Sequence, residues 1–184
     1  MTQEEKERIE RIASNFQFEG KLMGLIPWGN GHINDTYLLT YGIGKMGYIR
    51  IILQRMNKNV FPHPVELMEN IVNITTFLHK KIEENGGNPY RETLNVIPTK
   101  DNMPYYKDSD EDYWRAFVFI TDASSYDMVE KPEDFYQSGL AFGKFQCLLA
   151  DFPAEKLHDN EFCYFIFWKY RNKFLCFSID FLSF

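Results

Sequence analysis

Cysteine is scarce in this chain: Cys147, Cys163 and Cys176 are the only three, an odd number with no Cys-x-x-Cys pair. That usage excludes a disulfide framework and points to reduced thiols in a cytoplasm. A basic excess is also missing. Lys and Arg number 20 against 26 Asp and Glu, a net charge of −6, which excludes nucleic acid or an anionic membrane surface as the main partner. A small anionic ligand stays open, because it needs only a local site. No run reaches the roughly 20 apolar residues that span a bilayer. The opening Met1-Thr2-Gln3-Glu4-Glu5-Lys6 is polar and acidic, unlike a secretory signal. The acidic turn Asp108-Ser109-Asp110-Glu111-Asp112 imitates the start of a calcium loop. It lacks the glycine at the sixth position and the glutamate at the twelfth, so it is expected to be a solvated turn. No internal repeat is present.

Aromatic residues, by contrast, are abundant at 17%. Thr2 with Glu5 fits a capping box, and Ile9, Ile12, Ala13 and Phe16 recur at helical spacing, predicting a helix over 2–16. Strands are expected over Phe18–Ile26, Tyr37–Tyr41 and Tyr48–Arg55, with a glycine-rich hairpin loop over 42–47. Pro64 suits the first position of a long helix to about Glu84, closed by Asn85-Gly86-Gly87. Its apolar face is Leu67, Met68, Ile71, Val72, Thr75, Leu78 and Ile82. Three antiparallel strands follow over Leu94–Pro98, Met103–Lys107 and Tyr113–Ile120, then a polar linker Thr121–Asp127. A second helix runs from Pro132 to about Phe152, with Phe135, Leu140, Phe142, Leu148 and Leu149 on its apolar side. Gly139 and Gly143, four apart, suit close packing against another helix.

The stretch Trp28-Gly29-Asn30-Gly31-His32-Ile33-Asn34-Asp35-Thr36-Tyr37 organises the rest. Two glycines let the backbone turn sharply and approach a ligand closely, and polar residues flank the bend. A strand-turn-strand of this kind can lay backbone N–H groups over phosphates. A plain hairpin turn has the same residues, so this stretch alone does not decide.

The words around it decide more. Gly29-Asn30-Gly31-His32-Ile33-Asn34-Asp35-Thr36-Tyr37, Ile52-Leu53-Gln54-Arg55-Met56-Asn57, Val60-Phe61, Leu67-Met68-Glu69-Asn70-Ile71, Tyr113-Trp114-Arg115 and Ser138-Gly139-Leu140-Ala141-Phe142-Gly143-Lys144-Phe145-Gln146 together resemble the aminoglycoside phosphotransferase/choline kinase superfamily. Within it they look most like the N-acetylhexosamine 1-kinase-type sugar kinases, over about residues 16 to 158. The fold class this implies is α+β: a protein-kinase-like N-terminal lobe, an antiparallel sheet plus one long helix, then a linker and the first helix of a truncated helical C-terminal lobe. The implied division is 1–15 an N-terminal helix, 16–121 the lobe, 122–158 the linker and helix, and 159–184 an atypical aromatic tail.

The resemblance implies transfer of the γ-phosphoryl group of ATP, with Mg²⁺, to a hydroxyl; in the sugar kinases this is the 1-OH of an N-acetylhexosamine. It implies that Gly29, Gly31, Asn34 and Thr36 lie over the nucleotide phosphates, that Gln54 holds the strand position normally given to lysine or arginine, and that Glu69 orients that residue. Phe119, Ile120 and Asp122 fall at the hinge that meets adenine. Arg55 is adjacent to Gln54, but strand period points it to the other sheet face; Arg115 receives no role. The pattern also departs from the family. No His-x-Asp-x4-Asn stretch or later metal-binding aspartate follows Phe152, and residues 161–184 read as an out-of-frame translation. The expectation is a fragment that is inactive alone and lacks Mg²⁺ ligands, with cytoplasmic location and possible self-association through the second helix and tail. The alternative is a non-catalytic nucleotide- or protein-binding module, and a third reading is a β-rich domain with no nucleotide site.

Overall fold

The computed structural model describes residues 1–29, 33–121 and 131–158. The chain is α+β. Its strands are β1 (Lys21–Pro27), β2 (Asp35–Gly42), β3 (Tyr48–Arg55), β4 (Val96–Ile97), β5 (Tyr106–Lys107) and β6 (Tyr113–Val118). They form one antiparallel sheet in the order β1-β2-β3-β6-β4, with β5 also on β6. β3 is flanked by β2 and β6, which is why its sequence is apolar on both faces: Ile51, Ile52 and Leu53 are all buried.

Each face of the sheet carries a helix. On one face lies α1 (Gln3–Ala13), started by the capping box between Thr2 and Glu5. It ends three residues earlier than its apolar spacing predicts, and Phe16 continues into a bridge with Thr99. Ile9, Ile12, Ala13 and Phe16 pack with Leu39, Ile51, Leu53, Trp114 and Ala116. On the other face lies α2 (Pro64–Glu84), with Pro64 in its first turn as expected. Its N-terminal half packs Leu67, Met68 and Ile71 on Leu38, Ile52 and Phe117. Its C-terminal half packs Ile74, Leu78 and Ile82 on Leu149 and Phe152. Val72 and Thr75, expected inside, are only half-buried, while Asn70 and Ile74 are buried. A second apolar partner on another side of the helix rotates the buried stripe.

The differences from the sequence reading have local causes. β1 begins at Lys21 rather than Phe18 because Gly20 takes φ +124°, outside strand geometry; Phe18 still packs its ring on Tyr41. β4 and β5 are two residues each. A short helical turn, α3 (Pro89–Glu92), was not expected; the Asn88 side chain caps it by accepting from Tyr90 N at 3.0 Å.

The acidic turn is not simply solvated. Asp108, its side chain 6% exposed, accepts from Arg8 Nη2 of α1 at 2.9 Å and from Trp114 Nε1 at 2.9 Å. Asp112 pairs with Arg55 and Lys58, each at 3.0 Å. Lys107 pairs with Glu111 at 2.8 Å. The turn fastens α1 and the end of β3 to β6.

The last long helix, α4 (Pro132–Leu149), leaves Phe135, Tyr136 and Leu140 more than half exposed among the described residues. A methyl group added at Gly139 or Gly143 meets nothing within 4 Å, so the close helix packing expected there is not made by any described residue. Among the described residues no helix is long and apolar enough to cross a membrane. The linker beyond Thr121 and the aromatic tail lie outside the described residues.

Candidate functional site

Trp28 and Gly29 follow β1, and Trp28 packs on the sheet face that carries α2. Gly29 has φ +80°, a left-handed conformation that a side chain would strain. Trp28 precedes it and donates its backbone N–H to Thr36 O at 2.9 Å, which closes the start of the turn. The Trp28 ring meets the Phe119 ring edge to face at 5.6 Å. Both pack beside Leu38, Ile52 and Phe117. The Trp28 indole N–H is buried with no acceptor among the described residues. Phe119, just past β6, donates its N–H to Arg50 O at 3.0 Å, and half-buried Ile120 follows.

Register places Thr36 opposite Gln54, and Gln54 opposite Arg115, in one row across β2, β3 and β6. Two residues further along the strands the same face carries Leu38, Ile52 and Phe117. The side chains in the row are joined: Arg115 Nε donates to Gln54 Oε1 at 3.0 Å, and Gln54 Nε2 donates to Thr36 Oγ1 at 3.1 Å. Gln54 is 9% exposed and Arg115 1%. Burial lowers the guanidinium pKa to about 10, so it remains charged at neutral pH. The guanidinium carbon also lies 5.2 Å from the Phe117 ring centroid.

Arg55 goes to the opposite face, as strand period requires. It contacts Asp35 and donates to Asp112 at 3.0 Å. Those two carboxylates hold its charge high, against the desolvation of its partly buried side chain. Asn34 Oδ1 accepts from Asn57 N at 3.1 Å, tying the glycine turn to the loop after β3.

Glu69 does not meet Gln54. Its carboxylate contacts His158 Nε2, because it lies on the side of α2 turned to residues 151–158. Next to it, buried Asn70 accepts from His158 N at 2.8 Å and donates to His158 O at 3.1 Å. Glu69 and Asn70 together dock that segment on α2.

The geometry therefore gathers Thr36, Gln54 and Phe119 on one sheet face, leaves Gly29 next to Trp28 at its edge and Ile120 next to Phe119 in the chain, joins Asn34 to the loop after β3, and turns Glu69 away from Gln54. Gly31 and Asp122 lie outside the described residues. Two residues that sequence reasoning did not assign belong to the same face. Trp28 was readable only as the start of the turn. Arg115 needs the β3–β6 register before its place beside Gln54 is visible. The set brings a buried guanidinium, an amide and a hydroxyl onto the same face as the rings of Trp28 and Phe119. Among the described residues no three His, Cys, Asp or Glu side chains gather as a metal site.

No family model matches the chain. It is similar to the crystal structure of an aminoglycoside phosphotransferase from Alicyclobacillus acidocaldarius, with a TM-score of 0.49 and 14% identity over 95% of this chain. The match covers 47% of that protein, so this chain spans about half its length.

Proposed function

We propose that this chain is the nucleotide-holding lobe of an ATP-dependent phosphotransferase of the aminoglycoside phosphotransferase type, with an N-acetylhexosamine 1-OH as the acceptor in its full-length relatives. The observation that carries this reading is the sheet face beside the glycine turn. A buried cation, an amide and a hydroxyl are joined in one row there, on the same face as the half-buried rings of Trp28 and Phe119. The rings suit a base and the row suits phosphates. The motif words that resemble sugar kinases support the same class. Residues 16–121 form the lobe, residues 122–158 its linker and following helix, and the setting is cytoplasmic.

Phosphoryl transfer needs positioned charge and an oriented acceptor hydroxyl. The 184 residues contain no His-x-Asp-x4-Asn pattern, so the chain by itself is expected to bind ATP without turning it over. Calorimetric titration with ATP and an assay with ATP, Mg²⁺ and N-acetylglucosamine test both halves. Binding without phosphorylated sugar is the expected result. Phosphorylation at a sustained rate contradicts the inactivity, and absence of any ATP binding contradicts the nucleotide site.

A second reading rests on α4. Its Phe135, Tyr136 and Leu140 are exposed among the described residues, which favours a module that binds a protein or self-associates. A concentration-dependent mass in sedimentation distinguishes self-association from a monomer.

A further inference from the structure

Position 54 brings no charge to the face where a phosphate site would want one, yet the buried Arg115 stands beside it. We propose that Arg115, acting through Gln54, sets Thr36 as a hydrogen-bond donor to the phosphates of a bound nucleotide. Arg115 is thus a positioning residue, one strand removed from the ligand. The proposal rests on the nucleotide reading above and deepens it.

The direction of the hydrogen bonds carries the inference. A guanidinium can only donate, so the Arg115 Nε contact at 3.0 Å fixes Gln54 with Oε1 toward β6. Its Nε2 must then face β2, where it donates to Thr36 Oγ1 at 3.1 Å. With that oxygen accepting, the hydroxyl hydrogen is left to donate, and no described residue accepts it. Each link passes donor character outward, from the buried cation to a half-buried hydroxyl beside the glycine turn. The row therefore offers an anion a hydrogen-bond donor, although the residue at position 54 is neutral.

The first variant is Gln54→Glu. A carboxylate there still accepts from Arg115 and pairs with the buried cation. It cannot donate to Thr36. The Thr36 hydroxyl turns inward to donate to it, and the outward donor is lost. The experiment compares ATP and adenosine binding by calorimetry, with melting followed in parallel, for the wild-type chain, Gln54→Glu, Thr36→Val and Thr36→Ser. The expected result is that Gln54→Glu and Thr36→Val each weaken ATP by at least about tenfold. Adenosine binding stays within about twofold, Thr36→Ser keeps ATP affinity, and both Gln54→Glu and Thr36→Val still melt in one cooperative transition. Gln54→Glu also brings a negative charge toward the phosphates, so the deciding variant is the uncharged Thr36→Val: the relay lowers its ratio of ATP to adenosine affinity, and a purely structural Arg115–Gln54 contact leaves that ratio unchanged. If wild type binds ATP and Thr36→Val binds it equally well, the relay is overturned while the nucleotide site stands. If wild type binds neither ligand, both readings fall together.

Discussion

Replacing Asp108 by alanine is expected to destabilise the fold by about 3 kcal/mol, the value typical when one partner of a buried charged network is removed. Four donors converge on this carboxylate: Arg8 Nη2, Trp114 Nε1, and the backbone N–H groups of Asp110 and Asp112 at 3.0 and 2.9 Å. Trp114 is 1% exposed, so its indole N–H is left without a partner in the variant. Arg8 loses its inner carboxylate and keeps Asp110 at 2.9 Å. Burial alone would raise the Asp108 pKa. The bonds from Trp114, the Asp112 and Asp110 amides and Arg8 outweigh it, and the carboxyl titrates below its ordinary value. The sign of the pH dependence follows. The stabilisation is complete above the unfolded value near 4 and is lost as the pH falls through the lower folded value. Urea midpoints at pH 7 should fall by the equivalent of about 3 kcal/mol in Asp108→Ala. In Asp108→Asn the decline of the midpoint below about pH 4 should be shallower than in wild type. An Asp108→Ala midpoint within about 0.5 kcal/mol of wild type would show that the turn is a solvated surface feature.

Two neighbours on β3 separate stability from binding. Ile52 and Leu53 are both 0% exposed, on opposite faces of the sheet. Ile52→Ala and Leu53→Ala are each expected to cost about 3 kcal/mol, the range seen for large-to-small changes in a packed core. For a chain of this size that lowers the melting temperature by about 6–12 °C. Only Ile52 lies on the face shared with Leu38, Phe117 and Phe119. At a temperature where both variants are folded, Ile52→Ala should weaken ATP several-fold and Leu53→Ala should leave it unchanged. Equal losses at both positions would mean that the ligand reads overall stability rather than the α2 face.

Features that depend on near neighbours in the chain were legible in the sequence. The Thr2–Glu5 capping box, the Pro64 start of α2 and the full extent of β3 rest on local spacing and on backbone chemistry within a few residues. Of the candidate site, Thr36 and Gln54 sit in a recognisable set of words, and period two sent Arg55 to the other face, where it meets Asp35. What remained hidden depends on register or on distant partners. Asp108 reads as one acid in a polar turn until Arg8, 100 residues earlier, is folded against it. Arg115 reads as a strand arginine until pairing sets it beside Gln54. Glu69 has the position of an orienting glutamate, but the docking of residues 151–158 on α2 takes its carboxylate. The helical spacing of α4 predicts an apolar side, and periodicity cannot say whether anything covers it.

The most direct test is an ATP titration followed through the tryptophan indole N–H resonances, assigned with Trp28→Phe and Trp114→Phe. Trp28 lies on the face shared with Phe119 and carries a buried, unpartnered indole N–H among the described residues. Trp114 lies on the opposite face, its indole N–H held by Asp108. The two give a probe and an internal control in one spectrum. A nucleotide site on the α2 face predicts that the Trp28 signal shifts saturably with ATP while the Trp114 signal stays in place. A Trp28 signal that does not move, or a Trp114 signal that moves in its stead, would contradict it.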